Sequence, residues 1–352
     1  MSGRLAVVLF NLGGPDRPEA VQPFLFNLFN DPAIIGAPTP IRWLLANLIS
    51  KRRAPVAREI YTRIGGKSPL RELTDAQAAA LNEALRQRGF DSRVFVSMRY
   101  WDPRSDKAAH DVAAFEPDSI VLLPLYPQFS TTTTGSSLTD WKRAATAAEL
   151  GAEFHTVCCY PCQDGWVTAQ ADLVGEALAK AQAFGQPRVL FSAHGLPKKV
   201  VARGDPYPWQ VEQTVAAVVT ALDDAIVDHA VCYQSRVGPL EWIGPSTEEE
   251  LQRAASDGVP VVVVPIAFVS EHSETLVELD IEYRELAEEL GVPGYIRVPA
   301  TGTADAFIKG LADTVEAALA RGPGLGPDHD GRLCPDSLGQ CLCRSSAPGR
   351  GA

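Results

Sequence analysis

Short β-branched runs separated by helix-length amphipathic stretches recur along this chain. That alternation leaves few options other than parallel sheets covered by helices on both faces. Strands are predicted at 5–11, 94–99, 120–126, 153–159, 188–193, 229–234 and 261–268, with a short one near Tyr295. Helices are predicted between them at 74–88, 135–150, 163–184, 207–222 and 272–290, several ending at a glycine (Gly89, Gly151, Gly185, Gly291) as left-handed caps do. Two strand-and-turn plans occur twice. Residues 10–15 (FNLGGP) and 191–197 (FSAHGLP) each leave a strand through a Gly/Pro turn. Residues 121–130 (VLLPLYPQFS) and 262–270 (VVVPIAFVS) each carry an apolar strand broken by proline and closed by an aromatic and a serine. No fixed period relates the pairs, which predicts two similarly built lobes rather than a solenoid. Ligands in such sheets lie beyond the carboxyl ends of the strands, so the residues that follow each strand are expected to line the cleft.

The charge balance restricts partners. With 32 Lys and Arg against 43 Asp and Glu, the net charge of -11 opposes long-range attraction to nucleic acid or an anionic bilayer. The apolar run 5–10 is too short for a secretory leader, and the run 259–269 is too short to span a bilayer, so a cytoplasmic protein is expected. One segment reverses the charge. Residues 42–72 hold Arg42, Lys51, Arg52, Arg53, Arg58, Arg63, Lys67 and Arg71 against only Glu59 and Glu72. The stretch opens with Ile41, Trp43, Leu44, Leu45, Leu48 and Ile49 at helical spacing. An apolar face beside cations suits a bilayer surface or an amphipathic substrate with carboxylate tails, and equally a helix packed on the core.

Candidate chemistry gathers after the strands. His194 follows 188–193 at a Gly/Pro turn, where imidazole accepts a proton or ligates a metal near neutral pH. Glu271, Glu274, Glu278, Glu282, Glu285 and Glu289 recur every three or four residues, a carboxylate stripe if 272–290 is helical. The outer members read as a solvated face. The inner ones, with His272, suit a path for a divalent cation or for protons leaving a substrate. The hydroxyl-rich loop 130–137 (STTTTGSS) precedes a helix and offers N–H groups to an anion. The turn Gly13-Gly14-Pro15 reads as a close backbone approach to a ligand. From Arg321 onward the composition is that of a linker or disordered tail, apart from Cys334, Cys341 and Cys343. Three thiols so spaced suggest metal ligands, with Cys158, Cys159 and Cys162 available as a fourth.

Taken together, the chain resembles the ferrochelatases, which insert ferrous iron into a porphyrin at the end of haem synthesis. The likeness rests on 11–15 (NLGGP), 63–69 (RIGGKSP), Arg99-Tyr100, 126–137 (YPQFSTTTTGSS), 191–197 (FSAHGLP), 204–208 (GDPYP), 234–245 (QSRVGPLEWIGP) and 265–283 (PIAFVSEHSETLVELDIEY), in family order over about 1–320. It implies an α/β protein of two Rossmann-like lobes with parallel four-stranded sheets and the porphyrin between them. The lobes are assigned 1–160, with a membrane-facing lip at about 32–72, and 161–320; residues 321–352 form a cysteine-bearing extension. The implied substrates are Fe2+ and protoporphyrin IX. His194 and Glu274 would be the catalytic pair, with Glu271 and Glu278 extending the metal path. Arg63, Arg99, Tyr100, Ser136, Trp242 and Phe268 would meet the porphyrin. Glu271 stands where many relatives have Asp, and Thr131 where some animal relatives place a cluster cysteine. The resemblance therefore implies a [2Fe-2S] cluster on Cys158, Cys334, Cys341 and Cys343, with Cys159 or Cys162 as replacements for Cys158. A peripheral position at the inner face of the cytoplasmic membrane follows. Coproporphyrin III as substrate, or a tetrapyrrole or metal carrier without chemistry, are the alternatives. Monomer or homodimer, and the side of iron entry, stay open.

Overall fold

The structure is a computed structural model that describes residues 3–343 apart from 224, 226, 227, 237, 239 and 330. The first lobe contains β1 (Arg4–Asn11), α1 (Val21–Phe29), α2 (Thr39–Thr62), α3 (Leu70–Gln87), β2 (Asp91–Met98), α4 (Ser105–Phe115), β3 (Ser119–Pro124), α5 (Thr134–Ala147) and β4 (Glu153–Val157). Helix α6 (Asp164–Ala181) leads into β5 (Arg188–His194), α7 (Lys198–Val201), α8 (Tyr207–Ala221), β6 (Asp228–Gln234), α9 (Thr247–Asp257) and β7 (Val261–Pro265). A π-helix (Glu274–Glu282), α10 (Tyr283–Leu290) and β8 (Tyr295–Arg297) complete the second lobe. The chain then returns through α11 (Asp305–Arg321) and β9 (Gly324–Gly326).

The sheets run β2-β1-β3-β4-β9 and β6-β5-β7-β8, with every pairing parallel. Apart from β9 the two orders are the same, and the paired sequence plans fall on equivalent places: the ends of β1 and β5, and of β3 and β7. In each lobe the connection direction reverses at the first strand, which opens a crevice at its carboxyl end. Strands β1 and β7 are continuous apolar runs because both their faces are covered, and Val261–Val264 are fully buried. Each such side chain contributes roughly 1.5–3 kcal/mol on burial.

Three expectations need correction. First, α11 packs under the first sheet, where Phe307, Leu311 and Val315 share a core with Leu9, Leu123 and Trp166. Helix α6 has its first half in that core and its second half, from Val174 to Ala181, in the core of the second lobe. Division at 160/161 and 320/321 therefore does not follow the packing, because the apolar face of α11 is buried against α3 and α6. A Cβ on Gly165 would stand 2.3 Å from the Ala306 carbonyl oxygen, so glycine permits that close α6–α11 approach. Second, the first sheet has five strands. Third, the segment after Arg321 is folded as far as it is described. Gly324–Gly326 add β9 to β4, while the Arg321 guanidinium donates to the Thr156 and Pro327 carbonyls. Strand β9 has no β-branched residue; the neighbouring edge recruits it. Positions 344–352 lie outside the described residues.

The lobes meet through buried amides. Gln77 of α3 donates to the Val269 and Gly302 carbonyls at 2.9 and 2.8 Å and accepts from Ser270. Gln128 donates to Thr214 at 2.9 Å, and Gln210 accepts the Phe129 N–H at 2.7 Å. Satisfied buried amides of this kind fix orientation, since breaking one leaves a desolvated polar group.

Candidate active site

His194 ends β5 at the crevice. Its Nδ1 lies 2.7 Å from the Gly195 carbonyl oxygen, which only accepts, so Nδ1 carries a ring proton and Nε2 is the nitrogen turned to the crevice. That Nε2 faces Glu274 Oε1 at 3.6 Å, with both side chains about one-third exposed. The gap exceeds a hydrogen bond and leaves both atoms free to take a proton or a cation. A Cβ at Gly195 would fall 3.0 Å from the Gln234 carbonyl oxygen and 3.3 Å from the Trp242 ring, so the turn beyond His194 needs glycine. Tyr207 hydrogen-bonds the His194 backbone from below. Tyr61 of α2 reaches the same place, bonded to Ser273, and burial pushes its hydroxyl up to about 12.

The acidic segment departs from the predicted helix 272–290. Glu274–Glu282 form a π-helix, in which the Tyr283 N–H bonds the Glu278 carbonyl five residues back, and only Tyr283–Leu290 is α-helical. The stripe therefore breaks in two. Glu282, Glu285 and Glu289 are exposed, while Glu274 and Glu278 face inward at the wide turn. Glu278 accepts the Ser235 N–H at 2.7 Å, the Gln234 amide at 3.0 Å and the Tyr283 hydroxyl at 3.1 Å. Burial and the charge of Glu274 nevertheless raise its pKa, so this carboxyl holds a proton more readily than usual. Gln234 also donates to the Glu274 carbonyl and accepts from Ser192, which ties the turn to β5.

Glu271 has a different setting. Burial would raise its pKa, but the Arg297 guanidinium at 2.6 Å, Thr275 and the Ala300 N–H outweigh it and hold the carboxyl below its usual range. Arg297 also clamps Asp280 of the π-helix. Glu271 is thus occupied as the anchor of this turn. His272 accepts the Glu274 N–H on Nδ1 and packs against Phe268 with ring centroids 4.7 Å apart and planes tilted by 58°; burial keeps it below the ordinary imidazole range.

The expected porphyrin contacts divide into two groups. Trp242 and Phe268, half-buried, border Gly195 and His272. Arg63 is exposed at the end of α2 with no ion-pair partner among the described residues. Arg99, Tyr100 and Ser136 instead converge on Asp31, a residue with no local signal in the sequence. Arg99 pairs with Asp31 at 2.8 Å and donates to Ser136 at 2.7 Å, the Tyr100 hydroxyl donates to Asp31 at 2.7 Å, and Ser136 also bonds that carboxylate. Side-chain exposure of 12% for Arg99 and 2% for Asp31 marks an internal ion pair rather than a cation open to substrate. The loop 130–137 is likewise filled by the chain itself, since Asp205 accepts from Ser130, the Thr131 N–H and the Thr131 hydroxyl at 2.6–3.0 Å. The close approach at Gly13 is to the Trp101 backbone.

Helix α2 carries the basic, apolar segment. Ile41 and Trp43 are 54% exposed and Leu44 and Leu48 64% exposed, so this face is not packed on the core. Lys51, Arg52, Arg53 and Arg58 are exposed nearby. No helix among the described residues is long and apolar enough to cross a membrane.

The cysteines come together. Cys158 Sγ is 3.0 Å from Cys343 Sγ and 3.3 Å from Cys159 Sγ, and Cys334 and Cys341 are hydrogen-bonded beside them. None is in a disulfide. Cys162 is set apart, half-buried, and burial pushes its thiol up to about 11. Donors from Cys334 and Cys343 draw Cys341 down, while Cys159, Cys343 and burial push Cys158 up. By chemistry these thiols are the donors that a four-thiolate site takes. The contacts are tighter than the spacing of about 3.8 Å that two thiolates take on one tetrahedral metal, and no ready-made coordination group of three exists among the described residues.

Two like-ordered parallel lobes with a histidine–carboxylate pair at the switch-point crevice define an α/β protein of the chelatase type. The fold is that of SirB from Bacillus subtilis, solved with Fe3+ (TM-score 0.52, 12% identity, 90% of this chain and 96% of that one), and of the sirohydrochlorin chelatase SirB of B. subtilis subspecies spizizenii with cobalt (TM-score 0.51, 12% identity, 90% and 96%). The ferrochelatase family model matches residues 4–319. Proteins named ferrochelatase from Caulobacter vibrioides (strain NA1000 / CB15N; 54% identical, 99% of each chain) and Phenylobacterium zucineum (strain HLK1; 54%, covering 97% and 98%) are similar over nearly their full length. The chain belongs to the ferrochelatase family and is a ferro-lyase.

Proposed function

We propose that the porphyrin is protoporphyrin IX, and that it meets Fe2+ between His194 and Glu274. The observation that carries this reading is His194 Nε2 facing Glu274 Oε1 across 3.6 Å at the crevice of the second lobe. Insertion releases two pyrrole protons for each Fe2+ taken up. His194 Nε2 and the Glu274 carboxyl are groups that can take up one proton each, and Glu278, with its raised pKa, suits onward passage of a proton. Trp242 and Phe268 supply ring-sized apolar contact beside that pair. The exposed face of α2, with its cations, supports peripheral membrane contact at the cytoplasmic side, where an apolar porphyrin partitions. Arg99, one of the expected porphyrin contacts, is internally paired, which removes one cation that the four carboxylates of coproporphyrin III would use and favours a dicarboxylate porphyrin. Anaerobic Fe2+ insertion assayed with the two porphyrins side by side tests the choice. A higher kcat/KM for protoporphyrin is expected, and a preference for coproporphyrin III would overturn it.

A [2Fe-2S] cluster on Cys158, Cys334, Cys341 and Cys343 is part of the same proposal. When bound, it would supply a one-electron couple and a cross-link between the chain after β9 and the end of β4. Iron and sulfide in stoichiometric amount, with visible absorption, are expected of anaerobically purified protein. Colourless protein with zinc instead would remove the assignment.

A further inference from the structure

Gln210 of α8 is fully buried, and its carboxamide has two unlike ends. A backbone N–H only donates, so the 2.7 Å bond from Phe129 N identifies Oε1 and turns both amino hydrogens the other way. They point at sulfur: Nε2 lies 3.1 Å from Cys334 Sγ and 3.4 Å from Cys159 Sγ. A neutral thiol accepts weakly, whereas a thiolate or metal-bound sulfur accepts well. A buried amide donor 3.1 Å from Cys334, a proposed ligand, therefore suits a ligating sulfur better than a free thiol, with Cys159, the alternative ligand, next to it at 3.4 Å.

We propose that Gln210 is the positioning residue of the cysteine site. Its amino group donates N–H···S bonds to Cys334 and Cys159, and its oxygen holds the Phe129 loop of the other lobe. The proposal rests on the cluster reading above. Hydrogen bonds to cluster sulfurs stabilise the more negative, reduced state, so Gln210 raises the reduction potential. It also joins the cluster to the lobe contact through one side chain. Thr214, one turn on, bonds Gln128 and the Pro161 carbonyl, which makes α8 the common support of both.

The experiment compares full-length wild type, Q210E and Q210M, purified anaerobically, by iron and sulfide content, thermal unfolding and spectroelectrochemical titration. Q210E keeps an acceptor for Phe129, so a shift there does not come from losing that bond. Q210M adds no charge, so a shift there does not come from one. Both are expected to shift the oxidised-to-reduced ratio at fixed potential about tenfold towards oxidised, roughly 59 mV for a one-electron couple. Loss of the cluster from a variant that unfolds at the wild-type temperature supports the same role. An unchanged potential in both variants overturns the proposal alone, while wild type without iron and sulfide overturns the cluster reading and this proposal with it. Should both variants fail to fold, 15N-glutamine labelling of the reduced wild-type protein decides: electron spin-echo spectra are expected to show a coupled side-chain nitrogen, and its absence overturns the role.

Discussion

Replacing Asp31 by Asn is expected to destabilise the protein strongly, although the side chain keeps its shape. Asp31 Oδ1 accepts the Ala33 N–H at 2.8 Å, which forces the new amide to turn its NH2 towards the Oδ2 position. That position now receives Arg99, Tyr100 and Ser136. The two hydroxyls can rotate to accept, but a guanidinium has no acceptor, and its next carboxylate, Asp140, is 3.8 Å away. Breaking one partner of a buried pair costs about 3–5 kcal/mol. With roughly 2.1 cal/mol/K per residue over 352 residues, the unfolding entropy is about 0.74 kcal/mol/K, so Tm should fall by about 4–7 °C. Differential scanning calorimetry measures this directly. The double variant D31N/R99M should recover part of the loss, because no unpaired charge stays behind. A D31N protein within about 1 °C of wild type, with no recovery in the double variant, would refute the view that Arg99 is an internal ion rather than a substrate cation.

Two further outcomes follow from the same structure. Arg297→Met strands Glu271, leaves Asp280 only Arg284 at 4.0 Å, and should cost about 3–5 kcal/mol at pH 7. The Glu271 pKa is depressed in the fold, so its contribution is present above the unfolded carboxylate value and disappears as pH falls through the folded value. Urea unfolding of wild type should therefore weaken between pH 7 and pH 3 more steeply than that of the variant; parallel pH profiles would contradict the pairing. On the lip, the double variant L44E/L48E removes two exposed leucines worth roughly 1.5–3 kcal/mol each on burial, so sedimentation with anionic vesicles should drop at least tenfold while unfolding is unchanged. Equal sedimentation would exclude this face from membrane contact.

Much of the fold was legible because a parallel strand buried on both faces has to be a continuous apolar run, and Val261–Val264 or Leu5–Leu9 permit little else. The repeated turn plans at residues 10–15 and 191–197 likewise anticipated two lobes of one strand order. Strand β9 escaped because its pairing comes from the neighbouring edge and the Arg321 clamp, not from Gly-Leu-Gly itself. The π-helix escaped for a related reason: its residue spacing also satisfies an α-helix, and the wider turn is set by the Arg297, Gln234 and Ser235 contacts around it. At the site, His194 and Glu274 were visible as chemical groups following strands. Asp31, Gln210 and Asp205 were not, since a buried partner contributed from a distant segment leaves no local pattern. For the same reason nothing in the sequence around Arg99 marks Asp31 as its counterion.

The central claim is that His194 and Glu274 act together on the porphyrin and its iron. It is tested most directly by anaerobic Fe2+ insertion into protoporphyrin IX, followed by the haem absorption spectrum, in wild type, H194A and E274Q. Porphyrin fluorescence in the absence of metal reports binding separately. Both variants should bind porphyrin as wild type does and lose on the order of 10² to 10⁴ in turnover, the usual contribution of a positioned acid–base group. Wild-type turnover in either variant would contradict the account.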